Sequence, residues 1–195
     1  MTDKVTVPAL QAMKRGGRKI VGVVCWDPAS AAVADAAGVE IVSVGDSVAV
    51  SLDAVLVFCR AVRRGVERAL LSCDLPEPSI DNARRVVDAG AELVKVEGVD
   101  NVRAIAAAGI PVFAQIAAAG EARPMEEAGA ALIDFRHSGP EAGAAAVAAV
   151  SIPVLGGLGG GPWLDGRVRA IQRLLGDALA HYADDVRAGR PVKGD

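Results

Sequence analysis

The sequence predicts an α/β fold, a compact (β/α)8 TIM barrel, because short apolar runs alternate with segments of helical spacing and glycines stand between them. Seven runs are rich in β-branched residues and too short for surface helices, which favours buried parallel strands. The runs lie at 19–26, 41–46, 69–74, 93–98, 112–116, 132–135 and 152–155. The segments with helical spacing lie at 29–37, 53–64, 80–89, 102–108, 124–128 and 139–149.

Glycines mark the return from helix to strand. Gly38, Gly90, Gly109 and Gly129 each follow an alanine and precede the next apolar run. A glycine at this point permits the left-handed cap with which many helices end. The repeated glycines at the ends of the predicted helices indicate successive βα units.

An eighth strand at 167–171 would complete the barrel. Eight units would then average roughly 24 residues, which is compact for this architecture. Arg167 and Arg169 are unusual in an interior strand, so a helix as far as 175 is the other interpretation of this segment. A final helix is expected at about 176–189, where it would cover the barrel or meet a neighbour. An open, doubly wound sheet remains the alternative fold.

Composition limits the class of protein. The 195 residues are expected to form a single domain, 1–195. A net charge of -3 argues against a nucleic-acid surface, and no apolar run suits a signal peptide or a membrane span. Cys25, Cys59 and Cys73 are odd in number and widely spaced, so we expect reduced core thiols rather than disulfides. A reducing, cytoplasmic location fits these features.

Three acidic residues follow successive predicted strands: Asp46, Asp74 and Glu97. In a parallel barrel the strand C-termini meet on one face, and neighbouring strands lie about 4.8 Å apart. Their oxygens could therefore reach one hard cation, Mg2+ or Mn2+. The alternative is that Asp46 and Asp74 simply cap the helices that follow them.

Other polar residues fall on the same predicted face. Lys95 is either a counter-ion for the acids or a ligand for a substrate carboxylate, and the two roles are compatible. Asp134 is a candidate general acid or base, with a helix cap as its alternative. His137 and His181 are expected to be a surface and a structural residue. The glycine-rich run 156–161 fails the spacing of a dinucleotide motif and is interpreted as a tight turn close to the ligand.

The chain resembles the ketopantoate hydroxymethyltransferase (3-methyl-2-oxobutanoate hydroxymethyltransferase) family of the phosphoenolpyruvate mutase and isocitrate lyase superfamily. The most specific matches are VGDS at 44–47, LLSCDLP at 70–76 and AGAELVKVEG at 89–98. Further similarity lies at 19–27, 34–39, 61–65 and 152–156. The resemblance implies a (β/α)8 barrel and an enzyme that adds a one-carbon unit from methylenetetrahydrofolate to a 2-oxo acid.

The resemblance also implies roles for individual residues. Asp46 and Asp74 would bind Mg2+, and Glu97 would hold a water of the metal. Ser47 and Lys95 would bind the carboxylate of the 2-oxo acid. These roles agree with the metal site inferred from strand ends.

The chain departs from the family pattern at several positions. Asp134 stands where the family has glutamate, Gln115 where it has histidine, and Trp26 where it usually has tyrosine. The loop after Ser47 and the segment 117–123 are short. A shortened, more open site is therefore expected, with Gln115 and Trp26 at the substrate, and a folate donor is in question.

These features predict a Mg2+-dependent enzyme that forms a metal-stabilised enolate of a small 2-oxo acid and makes or breaks an adjacent C–C bond. One alternative is a superfamily lyase, isomerase or cyclase of a specialised biosynthetic pathway. Another is a non-catalytic paralogue that binds a metabolite. Neither nucleic acid nor membrane is expected as a partner, whereas a homo-oligomer is.

Overall fold

The computed structural model describes residues 3–45, 51–157 and 161–190 and contains a closed barrel of eight parallel strands. Each strand pairs with the next one along the chain, and the last pairs with the first. The strands are β1 (Ile20–Val24), β2 (Ile41–Val44), β3 (Leu70–Asp74), β4 (Leu93–Glu97), β5 (Val112–Ile116), β6 (Leu132–Phe135), β7 (Val154–Gly156) and β8 (Gly166–Ala170). The predicted (β/α)8 barrel is confirmed.

The helices are α1 (Val7–Arg15), α2 (Pro28–Ala36), α3 (Leu52–Arg63), α4 (Ile80–Asp88), α5 (Val99–Ala107), α6 (Ala122–Glu127), α7 (Pro140–Ala149) and α8 (Ile171–Arg187). A short 3-10 turn, Ala119–Glu121, precedes α6. Of the helices, α2 to α7 follow β1 to β6 in order, as the sequence pattern predicts.

Side chains alternate between two hydrophobic cores, because successive residues of a strand point to opposite faces. One core lies between the strands and the surrounding helices. The other fills the barrel itself and includes Ile20, Ile41, Leu70, Leu93, Phe113, Leu132, Leu155 and Val168. The barrel is therefore packed solid below its C-terminal rim.

Two glycines allow β8 to close against β1. A Cβ on Gly166 would stand 2.1 Å from the carbonyl oxygen of Ile20. One on Gly22 would stand 2.9 Å from a methyl carbon of Val168. Both contacts are too close for a side chain, so closure of the barrel depends on glycine at these positions.

The end of the chain differs in detail from the prediction. The eighth strand forms at Gly166–Ala170, and its two arginines, Arg167 and Arg169, are exposed while Val168 is buried. The alternation therefore explains charges that are unusual for an interior strand. The last helix begins at Ile171 rather than near 176, because Gly176 is tolerated inside the helix. It ends at Arg187, and Gly189 then adopts a φ of 64°.

The sequence analysis missed helix α1, which closes the N-terminal end of the barrel. Leu10 and Met13 belong to the core inside the barrel. Lys14 forms an ion pair of 3.0 Å with Asp165, and its ammonium also donates to the backbone carbonyls of Val147, in the last turn of α7, and of Ile152, just before β7. The bottom of the barrel is thus plugged and held in place.

The expectation of free core thiols agrees with the structure. All three cysteines are buried and free. Within the described part of the chain, none of the helices has the length and apolar character needed to cross a bilayer.

Asp35 connects helix α2 to the segment that leads into β3. Its carboxylate accepts hydrogen bonds from the backbone N–H groups of Glu67, Arg68 and Ala69, at 2.6 to 3.2 Å. Burial alone raises the pKa of Asp35, but these hydrogen bonds more than offset it, so the pKa lies below its ordinary value. The ionised carboxylate therefore stabilises the fold.

We predict that Asp35→Asn lowers the free energy of unfolding by about 1–3 kcal/mol at pH 7, because the amide NH2 would face backbone donors. The stabilisation by Asp35 is complete above a pH of about 4, the ordinary pKa, and is lost as the pH falls through the lowered folded value. Urea unfolding between pH 7 and 3 measures the difference between the proteins, which should shrink in acid. Asp88→Asn, at an exposed position on α4, serves as the control. An equal loss in both variants would contradict the prediction.

Candidate active site

Polar side chains of four adjacent strands meet inside the C-terminal rim. They are Asp74 on β3, Lys95 on β4, Gln115 on β5 and Asp134 on β6. Asp74 pairs in register with Lys95, and Gln115 with Asp134. Lys95, Gln115 and Asp134 are buried, and Asp74 is partly buried. Across β4 and β5, Gln115 pairs with Glu97 rather than with Lys95. The four side chains nevertheless lie together above the hydrophobic filling of the barrel, and we call them the polar layer.

Lys95 is the centre of this layer. Its ammonium lies 3.6 Å from a carboxylate oxygen of Asp74 and 3.4 Å from one of Asp134, and 4.9 Å from the ring centre of Phe113. Burial lowers the pKa of Lys95, but the two carboxylates outweigh it and raise the pKa above its ordinary value. Lys95 is thus a fixed positive charge suited to binding an anionic group.

Asp134 is not a helix cap in this structure. Its carboxylate accepts a hydrogen bond of 3.2 Å from the backbone N–H of Gly157 and faces Lys95. The residue is only 2% exposed. A carboxylate held in this way, beside an open cavity, can accept a proton from a bound molecule.

A cavity of about 270 Å³, here called the acidic cavity, lies beside Lys95 and is lined by Gly45, Asp74, Glu97 and Gln115 among others. A Cβ on Gly45 would stand 2.2 Å from the carboxyl carbon of Asp74, so only glycine leaves room for this carboxylate. Helix α4 is capped by Ser79, so Asp74 is not the cap of that helix. Two carboxylates of this kind suit a hard divalent cation.

Asp46 and Ser47 lie outside the described residues. Within the ranges 3–45, 51–157 and 161–190, no three acidic, cysteine or histidine residues are grouped closely enough to hold a metal ion. Asp74 and Glu97 are the two predicted ligands that the structure describes, and both line the acidic cavity.

Arg136 is a site residue that the sequence analysis did not select. Its guanidinium lies 3.9 Å from Asp134 and donates hydrogen bonds to Gln115 when the amide oxygen of Gln115 faces it. Arg136 comes two positions after Asp134, so strand alternation extended by one residue would have identified it. It connects the polar layer to two further cavities.

The first of these, the loop cavity, measures about 630 Å³ and lies between Glu97, Gln115, Arg136 and His137 among others. His137 adopts a φ of 55°, which is uncommon for a residue other than glycine. The second, the basic cavity, measures about 80 Å³ and adjoins Lys95 and Asp134. All three cavities open around the same polar layer.

Trp26 is the predicted site residue with the least contact with the cavities. It packs against both hydrophobic cores and lines none of the three cavities. Its indole N–H is buried and has no hydrogen-bond partner within the described part of the chain. His181 lies in the exposed helix α8, away from this layer.

Comparison with known proteins agrees with the resemblance noted in the sequence. The family model described as ketopantoate hydroxymethyltransferase matches residues 4–121. A 3-methyl-2-oxobutanoate hydroxymethyltransferase of Methylococcus capsulatus is 34% identical, over 97% of this chain and 88% of its own. One from Cyanothece sp. is also 34% identical, over 88% of this chain and 84% of its own.

Solved structures with the same fold are more distant in sequence. Phosphonopyruvate hydrolase in complex with oxalate and Mg2+ superposes with a TM-score of 0.69 at 19% identity, covering 98% of this chain and 90% of its own. A 2,3-dimethylmalate lyase, described as a member of the PEP mutase/isocitrate lyase superfamily, has a TM-score of 0.67 at 14% identity, over 94% and 87% of the chains. These similarities support the fold.

The hydroxymethyltransferase relatives span nearly the whole chain at more than 30% identity. Their similarity confirms the expectation of an enzyme that acts on C–C bonds. The chain belongs to the ketopantoate hydroxymethyltransferase family.

Proposed function

We propose that this enzyme enolises a small 2-oxo acid and makes or breaks the adjacent C–C bond, as a ketopantoate hydroxymethyltransferase would. The observation that carries the proposal is the buried ammonium of Lys95, placed between Asp74 at the acidic cavity and Asp134 beside Gly157. A group that binds an anion, an oxygen-ligand site and a candidate base are thereby placed next to one another.

In this proposal Lys95 and Ser47 bind the carboxylate of the substrate. The ammonium is pre-oriented by two carboxylates and a neighbouring aromatic ring, so little rearrangement is needed when the substrate enters. Gln115 would complete the substrate contacts, whereas Trp26, which was also expected at the substrate, lines none of the three cavities. Gln115 lies between the acidic cavity and the loop cavity, where its amide could bind a polar substituent.

Asp46, Asp74 and Glu97 would hold the metal, Mg2+ or Mn2+. Carboxylate oxygens are the ligands that such ions prefer, and Gly45 keeps the space at Asp74 open. A divalent ion bound there would lower the energy of negative charge that develops on the 2-oxo group.

Asp134 would accept the C3 proton. The C3–H bond breaks, its electron pair forms the C2=C3 double bond of the enolate, the π pair of the C2=O bond moves onto the oxygen, and the proton moves to a carboxylate oxygen of Asp134. Gly157 and Lys95 hold that carboxylate in place. The nucleophilic C3 then forms the new C–C bond, or the reverse step breaks it.

A lyase, isomerase or cyclase of the same superfamily is the second candidate. The loop cavity of about 630 Å³ favours it, because a bulky substrate has room beside Gln115 and His137. The same openness leaves methylenetetrahydrofolate in question as the donor. Transfer of a one-carbon unit from this folate would separate the two candidates.

The exposed surface of helix α8 supports the proposal that the protein forms a homo-oligomer. It is almost wholly exposed, and Leu175, Leu179, Tyr182 and Val186 form one apolar face with exposures of 46 to 62%. Their alternating spacing of four and three residues is that of a helix-to-helix contact. A second copy of the chain is the proposed partner for this face.

Three free, buried cysteines suit the proposed cytoplasmic location.

We predict C3 proton exchange when the protein is incubated with Mg2+ and single 2-oxo acids in heavy water. Asp134→Asn should slow the exchange by about 10²-fold or more, because it removes the base. The loss of the C3 proton signal in 1H NMR spectra measures the rate. Absence of exchange with every acid tested, or an unchanged rate in the variant, would contradict the proposal.

Calorimetry with Mg2+ or Mn2+ alone tests the metal site separately. Asp74→Asn should weaken binding at least tenfold, because it removes an anionic oxygen ligand. Asp81→Asn, at an exposed position of α4, should bind the ion as the unchanged protein does. Equal affinities in all three proteins would place the ion elsewhere.

We predict that the protein is oligomeric and that Leu179→Glu dissociates it, because a charge would replace the centre of the apolar face. Light scattering after size exclusion measures the mass. Ala180→Glu puts the same charge on a side of α8 outside the apolar face and should leave the mass unchanged. A monomeric unchanged protein at micromolar concentration would overturn the prediction.

A further inference from the structure

Arg136 connects two residues of the polar layer. It follows β6 by one residue, and its Nε lies 3.9 Å from a carboxylate oxygen of Asp134. The same nitrogen donates a hydrogen bond of 3.2 Å to the amide oxygen of Gln115, and a terminal nitrogen of the guanidinium donates to that oxygen as well. The side chain of Arg136 is 36% exposed, so most of it is enclosed. Its guanidinium is therefore directed at groups of the site.

The orientation of the Gln115 amide follows from its neighbours. A guanidinium has N–H donors and no acceptor, so only the amide oxygen of Gln115 can form a hydrogen bond with it. In register on either side of Gln115 stand Glu97 and Asp134, whose carboxylates repel an oxygen and favour an NH2 group. Arg136 and these two acids thus favour the same orientation of the amide.

The amide NH2 group is consequently turned away from Arg136. Gln115 is only 9% exposed and lines both the acidic cavity and the loop cavity. A bound molecule therefore meets an N–H donor at this position rather than a carbonyl oxygen. The positive charge at the amide oxygen also draws electron density from the NH2 group, because hydrogen bonds in a chain polarise one another. This polarisation strengthens Gln115 as a donor.

Arg136 is held by the same charges that order the rest of the polar layer. The carboxylate of Asp134 accepts a hydrogen bond from the backbone N–H of Gly157 and lies 3.4 Å from the ammonium of Lys95. This fixed carboxylate attracts the guanidinium on one side, and the amide oxygen of Gln115 binds it on the other. Arg136 is thus a support for Gln115.

We infer that Arg136 is a positioning residue, which fixes Gln115 as a hydrogen-bond donor to an oxygen on C4 of the 2-oxo acid. Lys95 on β4 would bind the carboxylate, Asp134 on β6 would take the C3 proton, and Gln115 on β5 lies between these strands. The group attached to C3 can then reach Gln115 from the two cavities. This inference rests on the proposed function, since it takes Lys95 and Asp134 in the roles given there.

An oxygen on C4 arises in the C–C step itself when the second reactant is an aldehyde. The C2=C3 electron pair of the enolate forms the bond to the aldehyde carbon, and a lone pair on the enolate oxygen restores the C2=O bond. The π pair of the aldehyde moves onto its oxygen, which then takes a proton from water and becomes the C4 hydroxyl. A donor fixed at this place stabilises the negative charge on that oxygen before the proton arrives.

The orientation of Gln115 is tested first, without any ligand. The chain has five side-chain amides: Gln11, Asn82, Asn101, Gln115 and Gln172. In 1H–15N NMR spectra, Gln115→Met identifies the Gln115 signal by removing it. In Arg136→Met the NH2 protons of Gln115 should exchange with water faster than in the unchanged protein, because the amide is no longer held. The other four signals should remain. An unchanged Gln115 signal with an unchanged exchange rate would overturn the inference.

The donor role is tested with two acids of the same shape, 4-methoxy-2-oxobutanoate and 2-oxohexanoate. They differ only in the atom attached to C4, which is an oxygen in the first and a CH2 group in the second. The ether oxygen accepts a hydrogen bond but carries no proton to lose, so the C3–C4 bond stays intact. In calorimetry with Mg2+, the methoxy acid should bind about threefold to tenfold more tightly, the range expected for one hydrogen bond. Equal affinities, or binding of neither acid, would overturn the inference.

Variants show whether Arg136 acts through Gln115. The preference for the methoxy acid should disappear in Arg136→Met and in Gln115→Met, and the double variant should be no worse than Gln115→Met alone, because the two residues act as one unit. Arg84→Met, on the exposed surface of α4, changes the net charge equally and should keep the full preference. A preference retained by Arg136→Met would overturn the inference.

Proton exchange at C3 is measured in parallel with the same two acids. Exchange without a preference for the methoxy acid would remove the role of Arg136 and leave the proposed function intact. A preference that depends on Arg136, without exchange, would support the positioning of Gln115 and contradict enolisation. The two proposals can therefore fail separately.

Discussion

The ammonium of Lys95, buried between two carboxylates, is the interaction on which the arrangement of the rim depends. A buried charge costs several kcal/mol unless partners compensate it. Asp74 and Asp134 provide that compensation only because β3, β4 and β6 lie in the register of a closed barrel. The strand register therefore determines both the closure of the barrel and the charge balance at its mouth. A shift of one residue in β4 would turn Lys95 towards the helices, where the surroundings are apolar.

Residues that stabilise the fold and residues of the candidate site lie at opposite ends of the barrel. At the N-terminal end, α1 closes the interior, and carboxylates such as Asp35, Glu126 and Asp165 accept hydrogen bonds from backbone N–H groups. These bonds hold the loops that lead into the strands. At the C-terminal end, polar groups face cavities and one another. Because the N-terminal end is firmly held, the C-terminal end can keep charged groups close together. The free energy that this crowding costs is offset by the stability of the remainder of the fold.

The repeated pattern of strand, helix and glycine was sufficient to predict the barrel, because each unit follows the same local rules. The residues at strand ends, such as Lys95 and Asp134, followed from that topology. Helix α1 was missed because it precedes the first strand and is not part of the repeated pattern. Its packing against the bottom of the barrel is a tertiary contact, which local sequence patterns do not predict. Arg136 was missed because it lies one residue beyond the predicted strand 132–135 and because its partner Gln115 lies on the neighbouring strand. Single-residue spacing predicts which way a side chain points, but the identity of its partners depends on the register between strands.

Short loops change which forces can select a substrate. In a barrel whose site is covered by long loops, packing around the ligand can discriminate by shape. Here Ala119–Glu121 and the short α6 follow β5 directly, and the loop cavity remains wide. An open mouth encloses little of a substrate in apolar surroundings. Selection among substrates must therefore depend on fixed charges at the bottom of the site, such as that of Lys95. The electric field at the mouth comes from the acidic groups of Asp74 and Glu97 and from the cationic groups of Lys95 and Arg136. A ligand bound at Lys95 is oriented by that field even without a lid, because the groups that produce it are held by the strands themselves.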